Sequence, residues 1–133
     1  MNKKYIVIGV VIAIILAGLF FFNGKSTENT VNGDISNAPV KEFTMTSFYD
    51  TSGIWFSLKE ITVNKGDIVR IKVTNIKGTH DFVIDEYGIK KITPLNEEVI
   101  VEFTADKAGS FEYYCSVTGH RQKGQWGTLR VLK

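Results

Sequence analysis

Tyr5 to Phe22 is an unbroken apolar run without a single charge, and no other feature limits the fate of this chain as strongly. At about 1.5 Å per residue such a stretch makes roughly 27 Å of helix, close to the hydrocarbon thickness of a bilayer. It is apolar on every side, so it has no polar face to turn toward water around a soluble core. Lys3 and Lys4 sit on its N-terminal side, which keeps that end in the cytoplasm and places everything after Asn23 outside. Two membrane fates fit, an uncleaved anchor and a cleaved signal. Leu19-Phe20-Phe21-Phe22 puts bulky side chains where cleavage wants small ones. No cysteine follows Leu16-Ala17-Gly18 to make a lipoprotein signal. The anchor is the favoured reading: residues 1–22 form a transmembrane helix of a single-pass cell-membrane protein, with its domain extracytoplasmic, in the periplasm or at the cell surface.

Residues 23–39 contain no aromatic side chain and are rich in Asn, Gly, Ser and Thr. They cannot bury enough apolar surface to order themselves and read as a flexible linker, reaching about 20–25 Å from the membrane. That leaves residues 40–133 for one domain of ordinary size. With Lys3 and Lys4 set aside, basic and acidic residues balance at 14 each. Nothing in that charge distribution argues for nucleic acid.

Beyond Val40 the turn signals come at short intervals and no helical period appears. Strands are predicted over Val40–Phe48, Ile54–Leu58 and Ile61–Val63. They continue over Ile68–Thr74, around Phe82, through Val99, Val101 and Phe103, and over Ser110–Cys115 and Thr128–Leu132. Val69, Ile71 and Val73 alternate onto one face, as do Val99, Val101 and Phe103, with Glu98 and Glu102 facing water. The fold class is all-β, a two-sheet sandwich of about seven strands.

Parity places His80 with Phe82 and Ile84, and Cys115 with Phe111 and Tyr113, so both donors aim at the core side. A histidine and a thiol converging there suit either a metal site or ordinary packing. The loop Cys115-Ser-Val-Thr-Gly-His120-Arg-Gln-Lys-Gly-Gln125-Trp-Gly127 narrows the choice. It carries a thiolate, an imidazole and an amide oxygen at five-residue intervals. Gly119, Gly124 and Gly127 are expected to allow positive φ. Outside the cytoplasm, a single cysteine has no disulfide partner and stands to be protected by a metal. With His80, the donors His80, Cys115, His120 and Gln125 are the inventory of a mononuclear blue-copper site, two imidazoles and a thiolate with a weak axial group. Met45 is the other conceivable axial group, although a first-strand position suits core packing better. Structural zinc wants four strong ligands. With only two histidines and one cysteine in the chain, neither a two-copper centre nor an additional catalytic copper can be assembled.

The domain resembles the cupredoxins, the plastocyanin-like family of blue copper proteins. The residues carrying the resemblance are Tyr114-Cys115-Ser116, Gly119-His120, Gln125 and Gly127-Thr128-Leu129, supported by His80-Asp81-Phe82 and the Val63–Asp67 turn. Gln125 stands where the family usually has an axial Met, an arrangement similar to stellacyanin, and a harder oxygen donor there favours Cu(II) and lowers the potential. The resemblance implies a Greek-key β-sandwich and one copper per chain, cycling between Cu(I) and Cu(II). It implies that Asp81 bonds near Ser116 and pins the two ligand segments together. It also implies electron exit at His120, edged by Val117 and Trp126, with Tyr114 on a second route. Arg121 and Lys123 are placed to steer an acidic partner.

The expected function is membrane-tethered, extracytoplasmic transport of single electrons by a monomer. Its partners would be redox proteins such as a cytochrome or a membrane oxidase or reductase. On this reading the protein is an electron carrier, not an enzyme. A copper-binding and delivery module uses the same ligands and is the alternative. An enzymatic reading, with an open coordination position for nitrite, oxygen or nitric oxide, is the third.

Overall fold

The structure, a computed structural model, describes residues 38–133. The anticipated membrane helix and all but the last two residues of the linker lie outside the described residues. Among the described residues, no helix is long and apolar enough to cross a membrane.

Among the described residues nine strands follow one another: β1 Val40–Asp50, β2 Gly53–Phe56, β3 Glu60–Asn64, β4 Ile68–Asn75, β5 His80–Ile84, β6 Ile89–Thr93, β7 Glu98–Thr104, β8 Gly109–Tyr114 and β9 Trp126–Leu132. They form a four-stranded sheet ordered β2-β1-β4-β7 and a five-stranded sheet ordered β3-β9-β8-β5-β6. The chain changes sheet at β2–β3, β3–β4, β4–β5, β6–β7 and β7–β8. As a result, β1 runs parallel to β4 and β3 runs parallel to β9.

The two inner faces meet in one core. Met45, Val69, Ile71, Val73 and Val101 from the first sheet join Ile61, Val63, Phe82, Ile84, Tyr113, Leu129 and Val131 from the second. Phe56 meets Phe82 edge-on at 5.6 Å, and Phe82 stacks on Tyr113 at 5.5 Å. The predicted alternation holds on β7, where Val101 is buried between exposed Ile100 and Glu102. Met45 belongs to this core.

The stretches predicted as strands correspond to all of these strands except one, although the expected total was about seven. The unpredicted strand is β6, Ile89–Thr93 (IKKIT). It lies at a sheet edge and pairs with β5 alone. Ile92 on it is 74% exposed, so no alternation marked it. A 3-10 turn at Asp85–Tyr87, closed by Gly88 at φ 61°, connects β5 to β6.

Inward parity runs past the apolar core toward one end. On β1 the buried series Met45, Ser47 ends in a hydroxyl, and on β4 the series Val69, Ile71, Val73, Asn75 ends in an amide. Ser47 and Asn75 are paired in register. This polar end of the core is where the donor side chains gather.

Candidate metal centre

β5 and β8 share one registered pair, Val83 with Tyr114, and beyond it the two strands are joined by side chains. Asp81 Oδ1 accepts the Ser116 backbone N–H at 2.6 Å and Oδ2 accepts the Ser116 hydroxyl at 2.5 Å. The implied tie between Asp81 and Ser116 is therefore present, and Asp81 is buried. His80 opens β5, and Cys115 follows the last residue of β8. The ligand loop is pinched at its base by the Cys115 N–H bond to the Gln125 carbonyl at 3.1 Å. Inside the loop, His120 N–H donates to Val117 and Gln125 N–H donates to His120, each at 3.0 Å.

Gly119 and Gly124 take φ of 81° and 106°, as expected of a tight wrap. Gly127 does not. It lies in β9, and a Cβ there would stand 2.3 Å from the ring and hydroxyl of Tyr113. Its glycine makes room for a buried tyrosine across the β8–β9 ladder.

His80 Nδ1, Cys115 Sγ, His120 Nδ1 and Gln125 Oε1 converge. Cys115 Sγ is 4.0 Å from His80 Nδ1 and 3.5 Å from His120 Nδ1. Gln125 Oε1 is 2.8 Å from His80 Nδ1 and 3.1 Å from His120 Nδ1. Nitrogen and sulfur atoms about 2.0 and 2.3 Å from a common centre lie roughly 3.5–3.7 Å apart, so one ion fits among them. His80, Cys115 and Gln125 are 1%, 0% and 0% exposed. His120 is half-buried and closes the site on its outer side.

The chemistry of these donors also calls for a cation. His80 Nε2 lies 2.7 Å from the Lys77 carbonyl. A carbonyl only accepts, so Nε2 carries the proton. In the neutral ring Nδ1 then presents a lone pair, and it faces the lone pairs of Gln125 Oε1. An electron-pair acceptor between them resolves that opposition. Fixing one imidazole nitrogen by a carbonyl so that the other is free to ligate is a common metal-site device.

Burial pushes the Cys115 thiol up to about 11, against the Asp81 and Val117 backbone N–H groups, which favour the thiolate. Burial, and then the neighbouring His80 ring, hold His120 below the ordinary imidazole range. Both shifts disfavour charge in the metal-free protein, and the charge of a bound cation reverses that balance for the thiol.

Sequence reasoning missed Ser47, Asn75 and Thr93. Asn75 Nδ2 donates to the carbonyls of Gly78 and Thr93, and its Oδ1 accepts from Lys77 N–H. It thus shapes the turn that offers Lys77 to His80. Thr93 Oγ1 donates to the His80 carbonyl at 2.9 Å. The usable signal was a polar residue continuing an inward apolar series, as Ser47 and Asn75 do.

At the rim, Trp126 is 46% exposed and Val117 half-buried beside His120. Arg121 is engaged by Glu112 and lies 4.2 Å from the Tyr114 ring centroid. Tyr114 donates its hydroxyl to Asp85. Only Lys123 of the two predicted steering charges is without an ion pair among the described residues.

The cupredoxin-like domain family matches residues 11–126. Nitrous-oxide reductase of Stutzerimonas stutzeri is 32% identical over 91 residues, which are 65% of this chain and 14% of that protein. The chain thus spans about a seventh of that relative's length. Among solved structures, the Cu-containing nitrite reductase of Thermus scotoductus superposes with a TM-score of 0.61 at 24% identity, over 70% of this chain and 28% of that one. Auracyanin A, a blue copper protein of Chloroflexus aurantiacus, superposes with a TM-score of 0.54 at 22% identity, over 68% of this chain and 99% of its own. The chain belongs to the cupredoxin-like domain family.

Proposed function

We propose that this chain is a membrane-tethered, extracytoplasmic type 1 copper protein that carries single electrons between protein redox partners, with His80, Cys115, His120 and Gln125 as its ligands. The observation that carries this reading is the convergence of His80 Nδ1, Cys115 Sγ, His120 Nδ1 and Gln125 Oε1 at one buried point. Copper held there supplies a one-electron couple between Cu(II) and Cu(I).

The residues do the rest by staying still. Lys77 fixes the tautomer of His80. Asp81 N–H donates to Cys115 Sγ at 3.4 Å, and the Asp81 carboxylate ties β5 to the start of the loop. Such bonds keep ligand positions constant as charge changes, which keeps the reorganisation of electron transfer small. His120 is half-buried while the other three side chains are sealed, so electrons pass through its ring at the surface. Acidic or neutral partners such as a cytochrome, or a membrane oxidase or reductase, would meet it there.

The matched relatives include enzymes in which a domain of this fold is one part. In this chain both histidines are spoken for, so we assign carriage and not turnover. Copper delivery is the alternative. The near-complete burial of three of the four donors favours retention of the ion over release. The membrane attachment rests on the uncharged run Tyr5–Phe22 and on Lys3 and Lys4.

The test is to add Cu(II) to the purified full chain. Intense thiolate-to-copper colour with reversible one-electron voltammetry is expected. A colourless complex that surrenders copper to a partner or mild chelator would replace carriage with delivery.

A further inference from the structure

Gln125 has both ends of its amide engaged. Nε2 donates to Ser47 Oγ at 3.0 Å and to the Trp55 carbonyl at 3.3 Å. A backbone carbonyl has no proton to give, so the amide nitrogen must face Trp55 and the oxygen must face the imidazoles. Ser47 and Trp55 come from β1 and β2, which pair as Ser47 with Phe56 and Phe48 with Trp55. The two acceptors are thus held side by side by a strand ladder that contributes no metal donor. Ser47 and Gln125 are each 0% exposed, so no solvent competes for the amide protons.

We propose that Ser47, together with the Trp55 carbonyl, is the positioning element that locks the Gln125 amide and presents Oε1, never Nε2, to the axial site. This deepens the copper reading and rests on it. The consequence is an amide oxygen that would be held toward a bound copper from the same place whichever charge the ion carried. It is set from the opposite sheet, 78 residues away in sequence. A glutamine on a loop has three side-chain torsions and would otherwise turn either end of its amide inward. Here the outward bonds choose for it. Ser47 touches no substrate and no reacting atom; it acts through Gln125.

The experiment compares the full chain with Ser47→Ala, Ser47→Thr, Gln125→Met and Ser47→Ala/Gln125→Met. In the metal-free protein, nitrogen-15 NMR should show two separate, exchange-protected Gln125 side-chain N–H resonances. Ser47→Ala should lose that protection and Ser47→Thr, which keeps a hydroxyl, should restore it. With copper, Ser47→Ala should change the ratio of Cu(II) to Cu(I) affinity by about tenfold toward Cu(I), equivalent to about 59 mV for a one-electron couple. The same substitution in the Gln125→Met background should leave the potential where Gln125→Met alone puts it.

Equal shifts from Ser47→Ala in both backgrounds, or unchanged Gln125 N–H protection, would overturn the positioning role. If Gln125→Met itself left the spectrum and potential unchanged, the axial assignment would fall, while the metal-free measurement would still decide whether Ser47 locks the amide.

Discussion

The carbonyl of Lys77 lies 2.7 Å from Nε2 of His80, and this contact decides which edge of the ring looks toward Cys115. Two residues, Gly78 and Thr79, separate them, and Gly78 takes φ of 101°. A Cβ at Gly78 would stand 2.8 Å from Tyr49 Cδ1 and 2.9 Å from His80 Nε2.

Gly78→Ala should therefore strain the backbone and push the ring off its carbonyl together. Backbone strain of this kind costs on the order of 1–3 kcal/mol. We expect an unfolding free energy lower by about 2–3 kcal/mol in denaturant titrations, with metal affinity weakened at least about tenfold in chelator competition. Gly88→Ala is the control. Gly88 also has positive φ, at 61°, but nothing lies within 4 Å of its Cβ position. That variant should lose about 1 kcal/mol and none of its metal affinity.

Asp81 joins two ligand-bearing segments where the sheet has no ladder. Its carboxylate accepts from both the N–H and the hydroxyl of Ser116, and hydrogen bonds to a charged group contribute about 1.5–3 kcal/mol each. Asp81→Ala should cost about 2–4 kcal/mol in the metal-free chain, because it removes both bonds to Ser116 and leaves a gap where the buried carboxylate stood. Asp81→Asn keeps one acceptor and should cost roughly half as much. A loss for Asp81→Ala below about 0.5 kcal/mol in denaturant titration would show that the strands hold without this tie.

The legibility of this molecule differs by residue. Val69, Ile71 and Val73 announced their strand because one face of β4 is core and the other is not. The donors on the Cys115–Gln125 loop were readable because three chemically unusual side chains recur at short spacing. Ser47 was silent because serine is common on surfaces, and its importance comes from a contact between sheets that only the completed fold creates. β6 was silent because an edge strand with an exposed Ile92 has no periodic pattern to show. Arg121 looked free for a partner because sequence places Glu112 nine residues away, whereas the β8–loop geometry brings the two into contact.

Gly127 separates two explanations of a glycine that the sequence places at the end of the ligand loop and the structure places in β9. Conformational freedom is not its role, because its φ is not positive and it is paired with Tyr113 across the ladder. Space is its role. Tyr113 is fully buried and its hydroxyl donates to the Leu58 carbonyl at 2.9 Å. Gly127→Ala should displace the ring, break that bond and cost about 2–4 kcal/mol by overpacking. Tyr113→Phe in the same background should recover part of the loss, since it removes the hydroxyl that a Cβ would strike. Thermal unfolding of the two variants measures this.

The buried thiol makes both folding and metal binding depend on pH, in opposite directions. In the folded metal-free chain Cys115 is pushed from 9.0 to about 11, chiefly by burial, so the folded state holds its proton more tightly than the unfolded one. The stability this contributes is fully present below pH 9 and is lost as pH rises from 9 through about 11. At about 1.4 kcal/mol per unit it amounts to roughly 2–3 kcal/mol. The difference in unfolding free energy between wild type and Cys115→Ala isolates it from lysines and tyrosines that titrate nearby. It should shrink over that interval and stay flat from pH 7 to 9. Metal binding needs the thiolate, so it releases the same proton. Cu(I) affinity, measured against a competing chelator, should rise about tenfold per pH unit between pH 7 and 9. On the acid side His120 must also lose a proton, but its pKa is already lowered by burial and by His80. The steeper acid loss should therefore begin below the ordinary imidazole range. A pH-independent affinity between pH 7 and 9 would mean that the sulfur is not the group that binds.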